Sequence, residues 1–252
     1  MNKTTLAVFT NVIALTSTGC AKVDSEDIRT SGFYAEISIV ATDDTTNVQV
    51  RMRTGRALDA DRIILSPGDQ LSATMSGNII ALFNSRDSSA YRGSFNAANG
   101  SSEVKVALSR AEGIDAPNST AVLPNRFEIT APDQGETFNA GGSITTVWSP
   151  AEPSNTMRVA YNVNCRVTGA DGTPTGANFS RAFTVVDSGT HTTTINEVLN
   201  AFGSQDELVS GVSCPFEVTL TRINEGSLDS AFTNGGSIEA TRSKSVLVNV
   251  VP

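Results

Sequence analysis

Thr156 to Thr168, TMRVAYNVNCRVT, alternates without a break. Met157, Val159, Tyr161, Val163, Cys165 and Val167 fall on one side, with Arg158, Asn162, Asn164 and Arg166 on the other, the period of two that a half-buried strand requires. The same pattern recurs in CPFEVTLTR, where Cys214, Phe216, Val218 and Leu220 share a face, and again in SRAFTVVDS and KSVLVNVV. Between them, TINEVLNAF spaces Ile195, Val198, Leu199 and Phe202 for a helix, with Thr194 placed as its N-cap.

Upstream the alternation continues. Ile37 and Ile39 share a face in EISIVA, and Val48, Val50 and Met52 point inward in NVQVRMR while Arg51 and Arg53 point outward. RIIL, QLSATM, NIIALF, AYRGSF and EVKVALS follow, separated by the turn-forming stretches SPGD, SGN and NAANGSS. About seven strands before residue 115 suffice for a two-sheet sandwich. Asp115 to Arg126, DAPNSTAVLPNR, carries two prolines and no long apolar run, and marks the seam. The chain is therefore expected to be all-β, with one antiparallel sandwich over residues 33–120 and a second over 126–252.

The second unit opens with FEITAPDQGETFNAGGSITTVWS: a strand ending in a proline turn, a glycine turn, then a strand carrying Trp148. This resembles the first two strands of bacterial immunoglobulin-like or fibronectin-type-III-like modules, which implies a sandwich fold and no particular ligand. Cys165 and Cys214 both fall on core-facing positions. Antiparallel neighbouring strands would bring them together as a disulfide, and the alternative is two buried free thiols. It is not the antibody arrangement, in which the Trp lies between the two cysteines; here Trp148 precedes both.

Residues 1–19 read as an export signal. Lys3 supplies positive charge, Leu6 to Leu15 a short apolar run, and Ser17, Thr18 and Gly19 small residues before Cys20. Ten residues are too few for a membrane-spanning helix, which takes about 20. Thr18, Gly19 and Cys20 resemble the lipobox of bacterial lipoprotein precursors, with Ser17 where that family carries Leu, Val or Ile. The resemblance implies a diacylglycerol-modified Cys20 as first residue of the mature chain, and Ala21 implies sorting to the outer membrane. An ordinary secretory signal and an uncleaved tail are the alternatives. Lipidation of Cys20 also leaves an even pair of cysteines in an oxidising compartment. Residues 20–32 show no periodicity and are expected as a flexible tether, AKVDSEDIRTS reaching at most about 40 Å.

A net charge of −8 argues against nucleic acid as a partner and against adsorption to an anionic lipid surface, so that any membrane attachment must come from elsewhere. Arg51, Arg53 and Arg56, with Arg62, form a local basic cluster suited to an anionic glycan or an acidic protein face, or else a solvated strand face neutralised by Asp59 and Asp61. The sole histidine, His191, has no nucleophile motif beside it and is expected exposed at a strand entry. A histidine-based zinc site is excluded, and Asp43, Asp44, Asp59 and Asp61 do not fit a calcium loop and are expected as solvated turn residues. No cofactor motif is present.

These readings converge on a lipid-anchored, non-enzymatic envelope protein whose sandwiches meet a protein or glycan partner. A polysaccharide hydrolase using a carboxylate pair and a passive spacer are the alternatives.

Overall fold

The computed structural model describes residues 22–57, 60–84, 90–96, 100–168, 173–199, 207–208 and 213–251. Cys20, Asp59 and Phe202 lie outside the described residues. The first ten strands are β1 (Lys22–Asp24), β2 (Tyr34–Ala41), β3 (Thr45–Arg53), β4 (Arg62–Ile64), β5 (Gln70–Met75), β6 (Asn78–Ala81), β7 (Phe83–Asn84), β8 (Tyr91–Asn96), β9 (Glu103–Ser109) and β10 (Ala116–Val122). They are followed by β11 (Glu128–Ala131), β12 (Thr137–Asn139), β13 (Ser143–Ser149), β14 (Thr156–Thr168), β15 (Pro174–Val186), β16 (Thr190–Thr194), helix α1 (Ile195–Leu199), β17 (Glu207–Leu208), β18 (Cys214–Glu225) and β19 (Gly236–Val251).

The protein is an all-β chain of sandwiches. One large sheet runs β1-β4-β3-β2-β19-β18-β14-β15, with β8 also paired to β3 and β12 to β19. A four-stranded sheet, β10-β9-β5-β6, covers its first part, and a three-stranded sheet, β11-β13-β16, covers its second. The second unit thus has the connectivity of an immunoglobulin-like sandwich. Alternation sets which side chains enter each core. Ile37, Ile39, Val48 and Val50 meet Leu71, Val104, Val106 and Leu108 in the first core, and Val159, Tyr161, Phe216, Val218 and Val248 meet Ile144 and Trp148 in the second. Each such fully buried side chain contributes about 1.5–3 kcal/mol. The short helix starts where expected: Thr194 Oγ1 accepts a hydrogen bond from the Glu197 amide at 3.1 Å, and Ile195 and Val198 are buried.

Three sequence expectations are corrected. First, residues 22–32 are no tether. β1 pairs in parallel with β4, Ser25 and Thr30 are buried, and polar bonds hold the segment down: Ser25 Oγ donates to Asp69 Oδ2 at 2.7 Å, and Arg110 Nη2 donates to the Ser25 carbonyl at 2.6 Å. Such bonds have no hydrophobic period, so the alternation test passes over them. Second, the seam is shorter than Asp115–Arg126, because β10 pairs antiparallel with β9. Pro117 cannot donate to the ladder, and the register shift between Ala116 and Ser119 accommodates it.

Third, a cut at residue 126 does not separate the two cores. Gly236–Arg242 of β19 pairs in parallel with β2, and Phe232, Ile238 and Ala240 are buried in the first core. Val246, Val248 and Val250 of the same strand are buried in the second. At about 3.3 Å per residue, this 16-residue strand is a spine of roughly 50 Å shared by both sandwiches. Its start demands glycine: Gly236 has φ +133°, and a Cβ there would fall on the Ala35 carbonyl.

Candidate functional site

Arg51 and Arg53 alternate outward on β3, both half-buried, and Arg56 is exposed in the bend that follows. Their carboxylate neighbour is Glu36: it stands opposite Arg51 in the β2–β3 ladder, and its Oε2 lies 3.3 Å from Arg53 Nη2. The pair is partly exposed, which limits its worth to about 1 kcal/mol or less. Arg62 is in register with both Arg53 and Lys22, so β1, β4 and β3 place three cations in one row across the sheet.

Asp43, expected as a solvated turn residue, is engaged. Lys244 Nζ donates to its Oδ2 at 2.8 Å and also lies 3.0 Å from Glu128 Oε1. The Lys244 hydrogen bond pulls the Asp43 carboxyl below its ordinary range, and the same bond raises Lys244. His191 is half-buried rather than exposed. It stacks at a tilt on Phe183 with ring centroids 5.1 Å apart, and burial lowers its proton affinity, with Glu197 opposing.

Cys165 and Cys214 are joined in a disulfide with Cα atoms 5.0 Å apart. The β14–β18 ladder runs to Val163 opposite Phe216, and the cysteines stand two residues further along each strand. The bridge therefore links adjacent strands of one sheet rather than the two layers of the sandwich.

The most elaborate polar cluster is one that motif reading passes over. Arg222 on β18 and Arg242 on β19 are directly opposed and enclosed, 0% and 1% exposed. Arg222 Nε pairs with Asp187 Oδ2 at 2.5 Å, while Nη1 and Nη2 donate to the carbonyls of Asn125 (3.1 Å) and Pro150 (2.6 Å). Its guanidinium also lies over the Phe127 ring at 4.8 Å. Trp148 Nε1 donates to the other oxygen of Asp187. Arg242 donates through Nε to the Pro124 carbonyl (3.1 Å) and through Nη1 to the Thr42 carbonyl (3.3 Å). Two arginines thus grip the backbone between the sandwiches from one side. The signal was in the parity: Arg222 follows Val218 and Leu220 on the inward positions, and Arg242 follows Ile238 and Ala240.

Two surface depressions merit chemical attention. A groove of about 520 Å³ crosses the outer face of the second unit, lined by Asn162 and Asn164 of β14, Asn178 and Ser180 of β15, Glu217 of β18 and Leu247 of β19. Asn162 Nδ2 donates to Glu217 Oε2 at 3.4 Å. This face offers carboxamide donors and acceptors beside an exposed leucine, a surface suited to hydroxyl- or amide-bearing chains. A second cleft, of about 650 Å³, lies between the units and includes Glu225 and Glu239, which are opposed in the β18–β19 ladder and exposed. Among the described residues no aromatic side chain lines it. Among the described residues no group of three or more His, Cys, Asp or Glu is placed to hold a metal, and no helix is long and apolar enough to cross a membrane.

The sequence matches no family profile, and no curated protein is similar to it. Among solved structures it is similar to fibronectin(III)-like modules of Clostridium thermocellum CbhA, at 12% identity and TM-score 0.25, covering 86% of this chain and 90% of that one. A two-domain fibronectin type-III segment of chicken tenascin gives 14% identity and TM-score 0.24, covering 85% and 97%. Bacteroides ovatus SGBP-B, a mixed-linkage glucan utilization locus protein in complex with a mixed-linkage heptasaccharide, gives 12% and 0.16, covering 96% and 68%. At these scores the likenesses carry no argument, and the sandwich assignment rests on the strand topology.

Proposed function

We propose that the chain is a lipid-anchored, non-catalytic envelope protein that displays a binding face on its second sandwich to a protein or glycan partner. The observation that carries this reading is the groove of Asn162, Asn164, Asn178, Ser180 and Glu217 on the open face of a sheet. The shared spine strand and the buried arginines support it, because they hold that face on a stiff body, and binding to a preorganised surface loses less conformational entropy. Lipidation of Cys20 remains part of the proposal, supported by the sequence before it.

The test is a photo-cross-linking residue at Ser180 in the full-length protein in cells, with Glu103 of the first sandwich as control. A discrete adduct from Ser180 alone is expected, its protein or glycan nature distinguished by protease and periodate sensitivity. No adduct, or the same adducts from both positions, overturns the binding reading and leaves the passive spacer.

The hydrolase reading has one observation in its favour, the opposed Glu225 and Glu239 in the cleft between the units. Against it, both carboxylates are exposed, and among the described residues lining the cleft there is no ring on which a sugar would stack. Release of reducing ends from envelope polysaccharide by the native protein but not by Glu225→Gln would establish that activity.

A further inference from the structure

Resting on the anchor reading, we infer that the Cys20 end of the first sandwich is a docking surface for an anionic phospholipid bilayer, which stands the protein upright with its groove far from the membrane. Two observations combine. The first is where the folded body begins. Lys22 is already paired with Arg62 in β1, so in the sequence Ala21 alone separates Cys20 from the folded body. Acyl chains on that cysteine would enter the hydrocarbon core, and so short a connection would bring the Lys22 end of the sheet within reach of lipid phosphates.

The second observation is the charge of that rim. Lys22, Arg62 and Arg53 are in one row, and Arg56 is exposed in the bend after β3, which closes on the same end through the Thr54 amide's bond to the Asp61 carbonyl (3.0 Å) and Asn234 Nδ2 to the Thr54 carbonyl (3.1 Å). Described carboxylates nearby include Asp61, Glu36 paired with Arg53, and Asp24, the last two each two residues further along their strands, with Glu26 and Asp27 following Asp24. The whole chain carries −8. Net charge decides capture from solution and is unfavourable here. Once an anchor holds the protein, the local rim decides orientation: its cations are drawn to phosphate while the acidic remainder is repelled, over a range of roughly 10 Å.

The spine strand sets the consequence. β19 begins at this end, with Gly236 opposite Ala35, and runs away from it toward the disulfide, where Val250 faces Cys214. Leu247 of the groove is therefore held roughly 35 Å along the strand from the membrane end.

The test uses the full-length protein matured in cells and reconstituted in phosphatidylcholine vesicles with and without phosphatidylglycerol. With Cys20 acylated and Cys165 bridged to Cys214, an introduced cysteine is the only free thiol for a fluorophore. Ala57→Cys reports the rim and Gly176→Cys the far end, where a side chain meets open space. A headgroup-linked nitroxide should quench the Ala57 label and not the Gly176 label. Phosphatidylglycerol should increase that quenching by roughly twofold or more, an increase lost in high salt and in the variant combining Lys22→Gln, Arg56→Gln and Arg62→Gln. Equal quenching at both positions, or quenching indifferent to lipid charge in protein that still floats with the vesicles, overturns the docking surface and leaves the anchor intact. Failure of the native protein to float, or unchanged flotation of Cys20→Ser, overturns the anchor reading and the docking surface with it. Comparison between the two vesicle types needs no rim variant, so the result does not depend on that variant folding.

Discussion

Arg222 and Asp187 form an ion pair with no access to solvent: Nε and Oδ2 are 2.5 Å apart and both side chains are 0% exposed. An enclosed charge whose partner is removed cannot be rehydrated, and the penalty is about 3–5 kcal/mol. Asp187→Ala is therefore expected to lower unfolding stability by that amount, read from the urea midpoint. Because Asp187 also accepts from Trp148, near-ultraviolet circular dichroism should change alongside. Arg222→Met combined with Asp187→Leu should recover part of the loss, since apolar replacement of both partners leaves no orphaned charge.

The Cys165–Cys214 bridge spans a sequence separation of 49. In the chain-entropy description, closing such a loop stabilises by about 4 kcal/mol. Cys165→Ala with Cys214→Ala should lower the denaturation midpoint by up to this amount while leaving the far-ultraviolet spectrum unchanged. Loss of the strand signal instead would mean that the bridge is needed for folding.

Arg29 tests the docking of the first residues. Thr30, which follows it, is 2% exposed and donates from Oγ1 to the Ile114 carbonyl at 2.5 Å. Trypsin is expected to leave the Arg29 bond intact in the folded protein. Asp69→Ala removes the acceptor of Ser25 Oγ and of the Ala111 amide, and the partner of Arg110 Nε at 2.6 Å. That variant should lose roughly 3 kcal/mol and become cleavable at Arg29.

Asp43 and Lys244 give a small pH signature. The Asp43 carboxyl lies below its ordinary 3.8, so its contribution is full above that value and lost as pH falls through the depressed one. Lys244 lies above its ordinary 10.5, so its contribution is full below that value and lost as pH rises through the raised one. Asp43 is 54% exposed, and solvent screening holds the pair to about 1 kcal/mol or less. Lys244→Met should cost a few tenths to 1 kcal/mol at pH 7 and less once Asp43 is protonated, as read from thermal midpoints across the acid range.

The strands were legible because their period is local. Met157 to Cys165, Cys214 to Leu220 and Val48 to Met52 each point where alternation placed them, and Thr194 caps the helix it was expected to cap. The cysteine pair was legible in part: alternation put Cys165 and Cys214 on core-facing positions, and the adjacency of β14 and β18 decided for the disulfide over two free thiols. The arginine cluster between the sandwiches was half-legible. Parity turns Arg222 and Arg242 inward, but their acceptors on Asn125, Pro150, Pro124 and Thr42 are backbone carbonyls, and any residue type carries one.

By itself the sequence determined the fold class and the faces of the strands. It did so because side-chain direction along an extended chain is a property of neighbouring residues alone. Tertiary structure decided which strands meet. That β2 pairs with the first half of β19, that Lys22 to Gly32 is held down by Asp69 and Arg110, and that one strand serves two cores all depend on contacts between distant segments. A pairing of that kind is chosen by the free energy of the assembled sheet, and it leaves no period in either segment to be read beforehand.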